Sequence, residues 1–166
     1  MQTLKVRHNM EVAHRLSLLP GKCENIHGHS MWVVAEFEGA VNPQGVLLGM
    51  EFGDVKATFR HYLDSMYDHH LLLNAQDPWA QALTADVKPD QTFSWLPGLR
   101  TCEGDPTTEN IARWVGEWCV NEYNCEGLER VKIEVWETQV NSATWEVMDE
   151  RTTVDRAISQ HPGRRA

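Results

Sequence analysis

The segment "GKCENIHGHSMW" (residues 21–32) places a thiol, a carboxylate and two imidazoles within seven residues. His27 and His29 are two residues apart at the start of an apolar run, and a strand would put both side chains on one face. His14 would supply a third imidazole if its strand and the next formed a hairpin. Three imidazoles without a fourth protein ligand are typical of an open catalytic zinc site. The alternative is a pair of hydrogen-bonded histidines at the start of a strand.

Two further groups have types suited to proton transfer. Cys23 lies four residues before His27, and a thiolate near a cation or metal has a lowered pKa and can act as a nucleophile or base. The alternative for Cys23 is a small buried residue. Asp68 directly precedes His69, and an aspartate beside a histidine orients the imidazole and supports its charged form. The alternative is that both residues are polar groups on the protein surface that cap the end of a helix.

Glu137 closes an alternating row that includes Val131, Ile133 and Val135. Because these valine and isoleucine side chains are expected to be buried, a carboxylate at the end of their row needs a partner. That partner is either an arginine or lysine, or a ligand amidine such as the edge of a pterin.

The elements that must position these groups follow from periodicity. Alternation predicts strands over residues 3–16, 29–39 and 130–138, with residues 143–150 as the hairpin partner of the last and Asn141 and Ser142 in the turn. Helical spacing predicts one helix from Asp54, as its N-cap, to about residues 67–70. A second helix is predicted to begin near Pro106, capped by Asp105 or a threonine, with Cys119 on its buried stripe. The resulting order is β-β-α-α-β-β.

Composition limits the class of protein. A chain of 166 residues suits one domain with a hydrophobic core. The formal charge of −9 argues against a nucleic-acid partner, whose binding depends on phosphate neutralisation. No apolar run approaches the roughly 20 residues of a membrane span, and the first ten residues lack the apolar core of a signal peptide, so a cytoplasmic location is expected. The four cysteines fit no CxxC metal pair.

Two stretches depart from this regular pattern. Residues 75–105 contain three prolines and little periodicity, and a connection of this length is uncommon in a compact domain unless it is functional or flexible. Residues 150–166 form a polar tail that is expected to fray. We therefore predict a single domain over residues 1–149 with a long insert at about 75–105.

Taken together, the motifs resemble those of the 6-pyruvoyl-tetrahydropterin synthase / 6-carboxy-tetrahydropterin synthase family, whose second member serves queuosine and deazapurine biosynthesis. The matching pieces are collinear and span most of the chain: "AHRL" (13–16), "CENIHGHS" (23–30), "MEFGDVK" (50–56), "DHHLLLN" (68–74), "PTTENIA" (106–112) and "ETQVNSATW" (137–145). The resemblance implies the tunnelling fold, an α+β fold with a four-stranded antiparallel sheet and two helices on one face. It also implies a homohexamer, in which two trimers of edge-paired sheets stack.

The resemblance assigns roles residue by residue. The zinc ligands would be His14, His27 and His29. Cys23 matches the catalytic thiol, and Asp68 with His69 matches the acid–base pair that works with it across a subunit interface. Glu137 matches the carboxylate that anchors the pterin through its amino and ring N–H groups. Thr107 and Thr108 lie where the family lines the pterin pocket.

The implied reaction starts from 7,8-dihydroneopterin triphosphate and yields 6-carboxytetrahydropterin, with loss of triphosphate and acetaldehyde. A 6-pyruvoyl product remains an alternative, as do a non-catalytic pterin-binding protein and a structural zinc protein. Three features depart from the family pattern: Glu51 stands where an aspartate is usual, residues 76–104 are longer, and Glu24 follows Cys23 directly. The Cys-Glu pair resembles a bifunctional class that also cleaves dihydroneopterin-type substrates to 6-hydroxymethyl-dihydropterin for folate synthesis. Glu24 is therefore a further candidate acid or base.

Overall fold

A computed structural model describes residues 2–85 and 98–148, and a six-stranded sheet forms its centre. Four strands are antiparallel neighbours in the order β1 (Gln2–His14), β2 (His27–Gly39), β5 (Leu128–Trp136) and β6 (Ser142–Met148). Two short strands, β3 (His70–Asn74) and β4 (Leu99–Cys102), extend the sheet beyond β1 and run parallel to it. The predicted four antiparallel strands are therefore present, and the count of four is corrected to six.

The alternation of buried and exposed residues along β1 and β2 determines which side chains meet on each face of the sheet. In both strands, alternate residues are buried on one face, as a sheet covered on that side requires. The two strands pair in an antiparallel register with His14 opposite His27 and Val12 opposite His29. The predicted hairpin therefore exists, and the end next to its connecting loop, residues 15–26, carries all three histidines on the buried face.

The three described helices are α1 (Phe52–Met66), α2 (Pro78–Thr84) and α3 (Thr108–Glu122). The predicted N-cap of α1 is wrong: the cap position is Glu51, which makes no side-chain capping bond, and Asp54 lies in the first turn. Asp54 still suits the positive end of the helix dipole there. Thr107 caps α3 by accepting a hydrogen bond from Asn110 N, so the threonine rather than Asp105 fills this role. None of these helices is long and apolar enough to cross a membrane.

The main core lies between the sheet and the helices α1 and α3. Cys119 is fully buried there, as predicted, and burial raises the pKa of its thiol strongly. Gly116 allows α3 to approach β6, because a Cβ at this position would lie 2.0 Å from Cε3 of Trp145. The core also contains residues from three of the four antiparallel strands, β1, β2 and β5: Leu4, Val6, Met10, Val12, Met31, Val33, Ala35, Phe37, Val131, Ile133 and Val135.

The segment predicted as an aperiodic connection contains regular structure at both ends. Asp77 caps α2, whose Ala80 packs with Leu73 and Leu99 in a second small core. Leu72 belongs to the main core, so its neighbour Leu73 and the helix α2 lie on the opposite face of the sheet. The predicted domain limit at residue 149 and the tail at 150–166 lie outside the described residues, as does the middle of the insert, residues 86–97.

Candidate active site

The three candidate histidines meet at the end of the β1–β2 hairpin where the chain passes from β1 to β2. Their potential ligand nitrogens all lie within 4.8 Å of one another. The Nε2 atoms of His14 and His27 are 3.1 Å apart, and the ring centroids of His14 and His29 are 5.2 Å apart. His14 is fully buried, whereas His27 and His29 are partly exposed. Strand register alone explains this cluster, because His14 faces His27 directly and His29 follows on the same face.

Hydrogen bonds to the backbone determine the proton positions on two of the rings. Nδ1 of His14 is 2.8 Å from the carbonyl oxygen of Pro106, and Nδ1 of His27 is 2.8 Å from that of Asn25. A carbonyl only accepts, so both Nδ1 atoms donate and both Nε2 atoms of the neutral rings present lone pairs. Nε2 of His29 is buried and has no hydrogen-bond partner among the described residues. Three nitrogen atoms therefore converge in the way that a bound cation requires.

The charge state of His14 agrees with this arrangement. Burial is the largest influence and lowers the pKa of His14, while the bond to Pro106 raises it and the neighbouring His27 and His29 lower it further. The ring is therefore neutral over a wider pH range, and a metal binds the neutral form of histidine. The donor set of three imidazole nitrogens suits zinc, and it leaves a coordination position for water or substrate.

Glu137 approaches this cluster from the end of β5. Its Oε1 lies 3.9 Å from Nε2 of both His14 and His29, and it accepts a hydrogen bond of 3.0 Å from the hydroxyl of Thr108. Among the described residues, Glu137 is therefore paired with this hydroxyl and not with the arginine or lysine that the sequence suggested as one possible partner. Thr107 contributes through its side-chain hydroxyl, which caps α3, fixes where the helix begins and so places Thr108.

Cys23 and Glu24 lie on a short 3-10 helix (Lys22–Glu24) in the connection between β1 and β2. The carbonyl of Cys23 accepts a hydrogen bond of 2.9 Å from Leu16 N, two residues after His14. Cys23 is partly buried, and the side chain of Glu24 is 53% exposed. This connection, residues 15–26, is called the catalytic loop below, because both candidate groups are on it.

Asp105 ties the catalytic loop to the rest of the fold. Its carboxylate accepts hydrogen bonds from the hydroxyl of Ser17 and the backbone N–H of Leu18, both 2.7 Å, and from the side chain of Asn74 at 3.1 Å. Asp105 is buried, with 6% of its surface exposed. Burial acts to raise its pKa, but the hydrogen bonds outweigh burial and hold the pKa below the ordinary value. Sequence reasoning considered Asp105 only as a helix cap and missed this function.

Asp68 and His69 lie between α1 and β3. Asp68 Oδ2 is 2.7 Å from Nδ1 of His69, and its Oδ1 accepts the N–H of Glu11 at 2.7 Å. The backbone N–H of His69 donates to the carbonyl of Glu11, and φ of His69 is 58°, in the left-handed region. The ring is 79% exposed. His69 and His29 both line one shallow cleft of ≈ 560 Å³, whereas His14 and His27 do not line it.

Comparisons with known proteins identify the family of this chain. A family model described as 6-pyruvoyl tetrahydropterin synthase matches residues 3–147. Two curated relatives are both named 6-carboxy-5,6,7,8-tetrahydropterin synthase. The one from Synechocystis sp. is 26% identical over 113 residues, which are 64% of this chain and 87% of the relative. The one from Haemophilus influenzae is 24% identical over 132 residues, which are 78% of this chain and 88% of the relative.

A solved structure supports the fold. Plasmodium vivax 6-pyruvoyltetrahydropterin synthase, in a mutant whose catalytic glutamate is replaced by cysteine, matches with a TM-score of 0.67 at 16% identity, over 90% of this chain and 100% of that one. This likeness confirms the α+β tunnelling fold. The family model covers nearly the whole of the described chain, so the protein belongs to the 6-pyruvoyl tetrahydropterin synthase family and is a lyase of that type.

Proposed function

We propose that this chain is a zinc-dependent 6-carboxy-5,6,7,8-tetrahydropterin synthase that acts on 7,8-dihydroneopterin triphosphate in the cytoplasm, supplying queuosine and other 7-deazapurines. The observation that carries the proposal is the convergence of three histidine nitrogens beside the Thr108–Glu137 pair. Both curated relatives carry the name of this activity, which supports the choice of product.

Zinc fits the histidine cluster and would be held by His14, His27 and His29. When bound, it would act as a Lewis acid toward the side-chain oxygens of the substrate and stabilise negative charge that develops on them. Glu137 would accept hydrogen bonds from the amino group and ring N–H of the pterin, as a carboxylate does. Thr108 keeps one oxygen of that carboxylate in place with its hydroxyl. The pterin is thereby oriented with its side chain available to the catalytic groups.

Proton transfer would be carried out by Cys23 and His69. Cys23 would act as the general base that takes a proton from a side-chain carbon of the substrate. His69, oriented by Asp68, would deliver or remove a proton at the adjacent position. The triphosphate leaves as an anion, water is consumed, and cleavage of a carbon–carbon bond releases acetaldehyde. The 6-pyruvoyl alternative stops before that cleavage.

Mass spectrometry of the products from 7,8-dihydroneopterin triphosphate tests this proposal. The expected product is 6-carboxytetrahydropterin, together with equimolar triphosphate and acetaldehyde. A 6-pyruvoyl product without acetaldehyde would contradict the assigned activity and support the sister activity. If the zinc-loaded protein binds the pterin without turnover, it is a binding protein instead. Retention of zinc without pterin binding would indicate a structural zinc protein.

A second activity is suggested by Glu24. Its carboxylate is half exposed beside Cys23, and the Plasmodium vivax structure concerns a synthase whose catalytic residue is a glutamate. We propose that Glu24 acts as a base in a retro-aldol-like cleavage of dihydroneopterin to 6-hydroxymethyl-dihydropterin. Glu24→Gln keeps the size and removes the base, so it should lose the hydroxymethyl product and keep most of the carboxy product. Equal hydroxymethyl product from this variant and from wild type would exclude the role.

We also propose that the protein assembles as a homohexamer of two stacked trimers. Among the described residues, β6 has a strand partner on one side only, and β3 pairs with β1 only over Val12–His14. The seven residues of β6 and the first part of β1 are therefore two open edges that can pair between subunits, and exposed edges normally have to be covered. Light scattering at micromolar concentration should give six times the mass of 19.0 kDa. A monomeric mass would contradict the proposal.

A further inference from the structure

Arg15 is a buried cation next to the histidine cluster. It follows His14, and alternation along the chain turns its side chain toward the other face of the sheet. Only 8% of its surface is exposed, and its Nη1 donates to Oδ2 of Asp77, which is 1% exposed. The two charges therefore depend on each other, since either one alone would be left uncompensated away from water.

The start of helix α2 is built around this guanidinium. Oδ1 of Asp77 accepts the backbone N–H of Trp79 at 2.9 Å, which caps the helix. The guanidinium of Arg15 lies over the ring of Trp79, with its Cζ atom 4.7 Å from the ring centroid, as in a cation–π contact. Helix α2 belongs to the segment predicted as a long insert, so this part of the chain adds two contacts to Arg15.

Arg15 is the first residue of the catalytic loop and contacts the part of the loop that carries Cys23 and Glu24. Its Nη2 lies 3.7 Å from Oε1 of Glu24, and the next residue, Leu16, donates its N–H to the carbonyl of Cys23 at 2.9 Å. Arg15 Nε has no acceptor in the part of the chain that the structure describes. The guanidinium thus lies between a fully buried carboxylate and a half-exposed one, with spare capacity to donate hydrogen bonds.

A purely stabilising function does not account for this arrangement. A buried ion pair contributes little net stability compared with apolar residues of the same volume, because desolvating both charges is costly. The planar guanidinium can, however, hold two carboxylates in a fixed relation, which a lysine cannot do. Because Glu24 is one of these two carboxylates, the guanidinium can hold this part of the catalytic loop in a fixed position relative to Asp77.

We propose that Arg15 is a positioning residue: it fixes the Cys23–Glu24 part of the catalytic loop, and Asp77 at the start of α2 holds Arg15 in place. The insert that contains α2 is thereby connected to the reaction, although its described residues supply no group to the histidine cluster. This inference rests on the proposed roles of Cys23 and Glu24.

Asp77→Asn tests the proposal, because it keeps the shape and the cap while it releases the guanidinium. The expected result is a kcat for the carboxy product about 10- to 100-fold lower, since a misplacement of about 1 Å can cost that much, with KM and zinc content unchanged. The rate at which iodoacetamide alkylates Cys23, followed by mass spectrometry of that peptide, should also change. Gln81→Ala, at an exposed site on the same helix, is the matched control and should leave all four quantities as in wild type.

A double-mutant cycle separates positioning from general stability. If Asp77 acts through Arg15, Asp77→Asn should lower kcat much less in the Arg15→Lys background than in wild type. Should Asp77→Asn fail to fold, Arg15→Lys takes its place, with the same expected loss of kcat. Unchanged kcat and unchanged alkylation in a folded variant would overturn the proposal, as would additive effects in the cycle. Wild type without turnover of the triphosphate would overturn the proposed function instead, and alkylation would still test the position of Cys23.

Discussion

Replacing Asp105 with asparagine should loosen the catalytic loop and destabilise the whole fold. The carboxylate accepts from Ser17 and Asn74 on one oxygen and from Leu18 on the other. An asparagine side chain has one accepting oxygen, so its amino group would face a donor that is already present. At least one bond is lost, a donor is left unpaired, and the remaining bonds lose the carboxylate charge.

The expected cost follows from these bonds. A hydrogen bond to a charged group contributes roughly 1.5–3 kcal/mol, and an unpaired buried donor costs about 1–3 kcal/mol. Because the loop can relax, we expect a loss of about 3 kcal/mol in the free energy of unfolding at neutral pH. This corresponds to a decrease of roughly 6–12 °C in Tm for a chain of this size.

The loss should depend on pH with a defined sign. The pKa of Asp105 is lower in the folded state than in the unfolded state, so its contribution is complete above the unfolded pKa of about 3.9 and is lost as pH falls through the folded value. The difference between wild type and Asp105→Asn should therefore be largest near pH 7 and should shrink below about pH 4.

Urea unfolding followed by circular dichroism measures this difference, at one protein concentration because an oligomer depends on it. Asp54→Asn, at an exposed position in α1, is the control and should change the free energy by less than about 0.5 kcal/mol. If Asp105→Asn is as stable as that control at pH 7, or if its deficit grows on acidification, the assigned function of the carboxylate is wrong.

Three further outcomes are expected. His27→Ala should abolish tight zinc binding, measured by metal analysis after dialysis, and full stoichiometric zinc in this variant would contradict the ligand set. Cys23→Ala should keep fold and zinc and lose synthase turnover, so wild-type activity would exclude the thiol as base. Gly116→Ala should lower stability by about 1–2 kcal/mol, because overpacking against Trp145 exceeds the gain in helix propensity; a melting temperature at or above that of wild type would contradict the close approach of α3 and β6.

The histidine cluster and most of the fold could be predicted because local patterns determine them. The two-residue period places His27 and His29 on one face, and the hairpin that brings His14 to them joins consecutive strands. The helix α3 was predicted for a similar reason, since a proline, threonine caps and an apolar stripe all occur within one short stretch. In these cases each residue and its partner belong to the same or to neighbouring elements.

The strands β3 and β4 and the contacts of Arg15 could not be predicted in this way. Five and four residues give too few repeats for a period, and parallel pairing joins segments that are distant in the chain. Asp77 lies 62 positions from Arg15 in the sequence, and no local pattern connects them. The "AHRL" motif includes Arg15, which was the one signal that the arginine mattered.

Because His69 has a left-handed backbone conformation, selection for stability and selection for activity favour different residues at this position. A residue with a Cβ is strained by roughly 1–2 kcal/mol in this region, and glycine is not. Laboratory evolution for thermal tolerance alone would therefore favour His69→Gly, which also discards the imidazole. Such a lineage would gain heat resistance while losing the imidazole that we propose for proton transfer, so thermostabilising libraries of this enzyme should keep position 69 fixed.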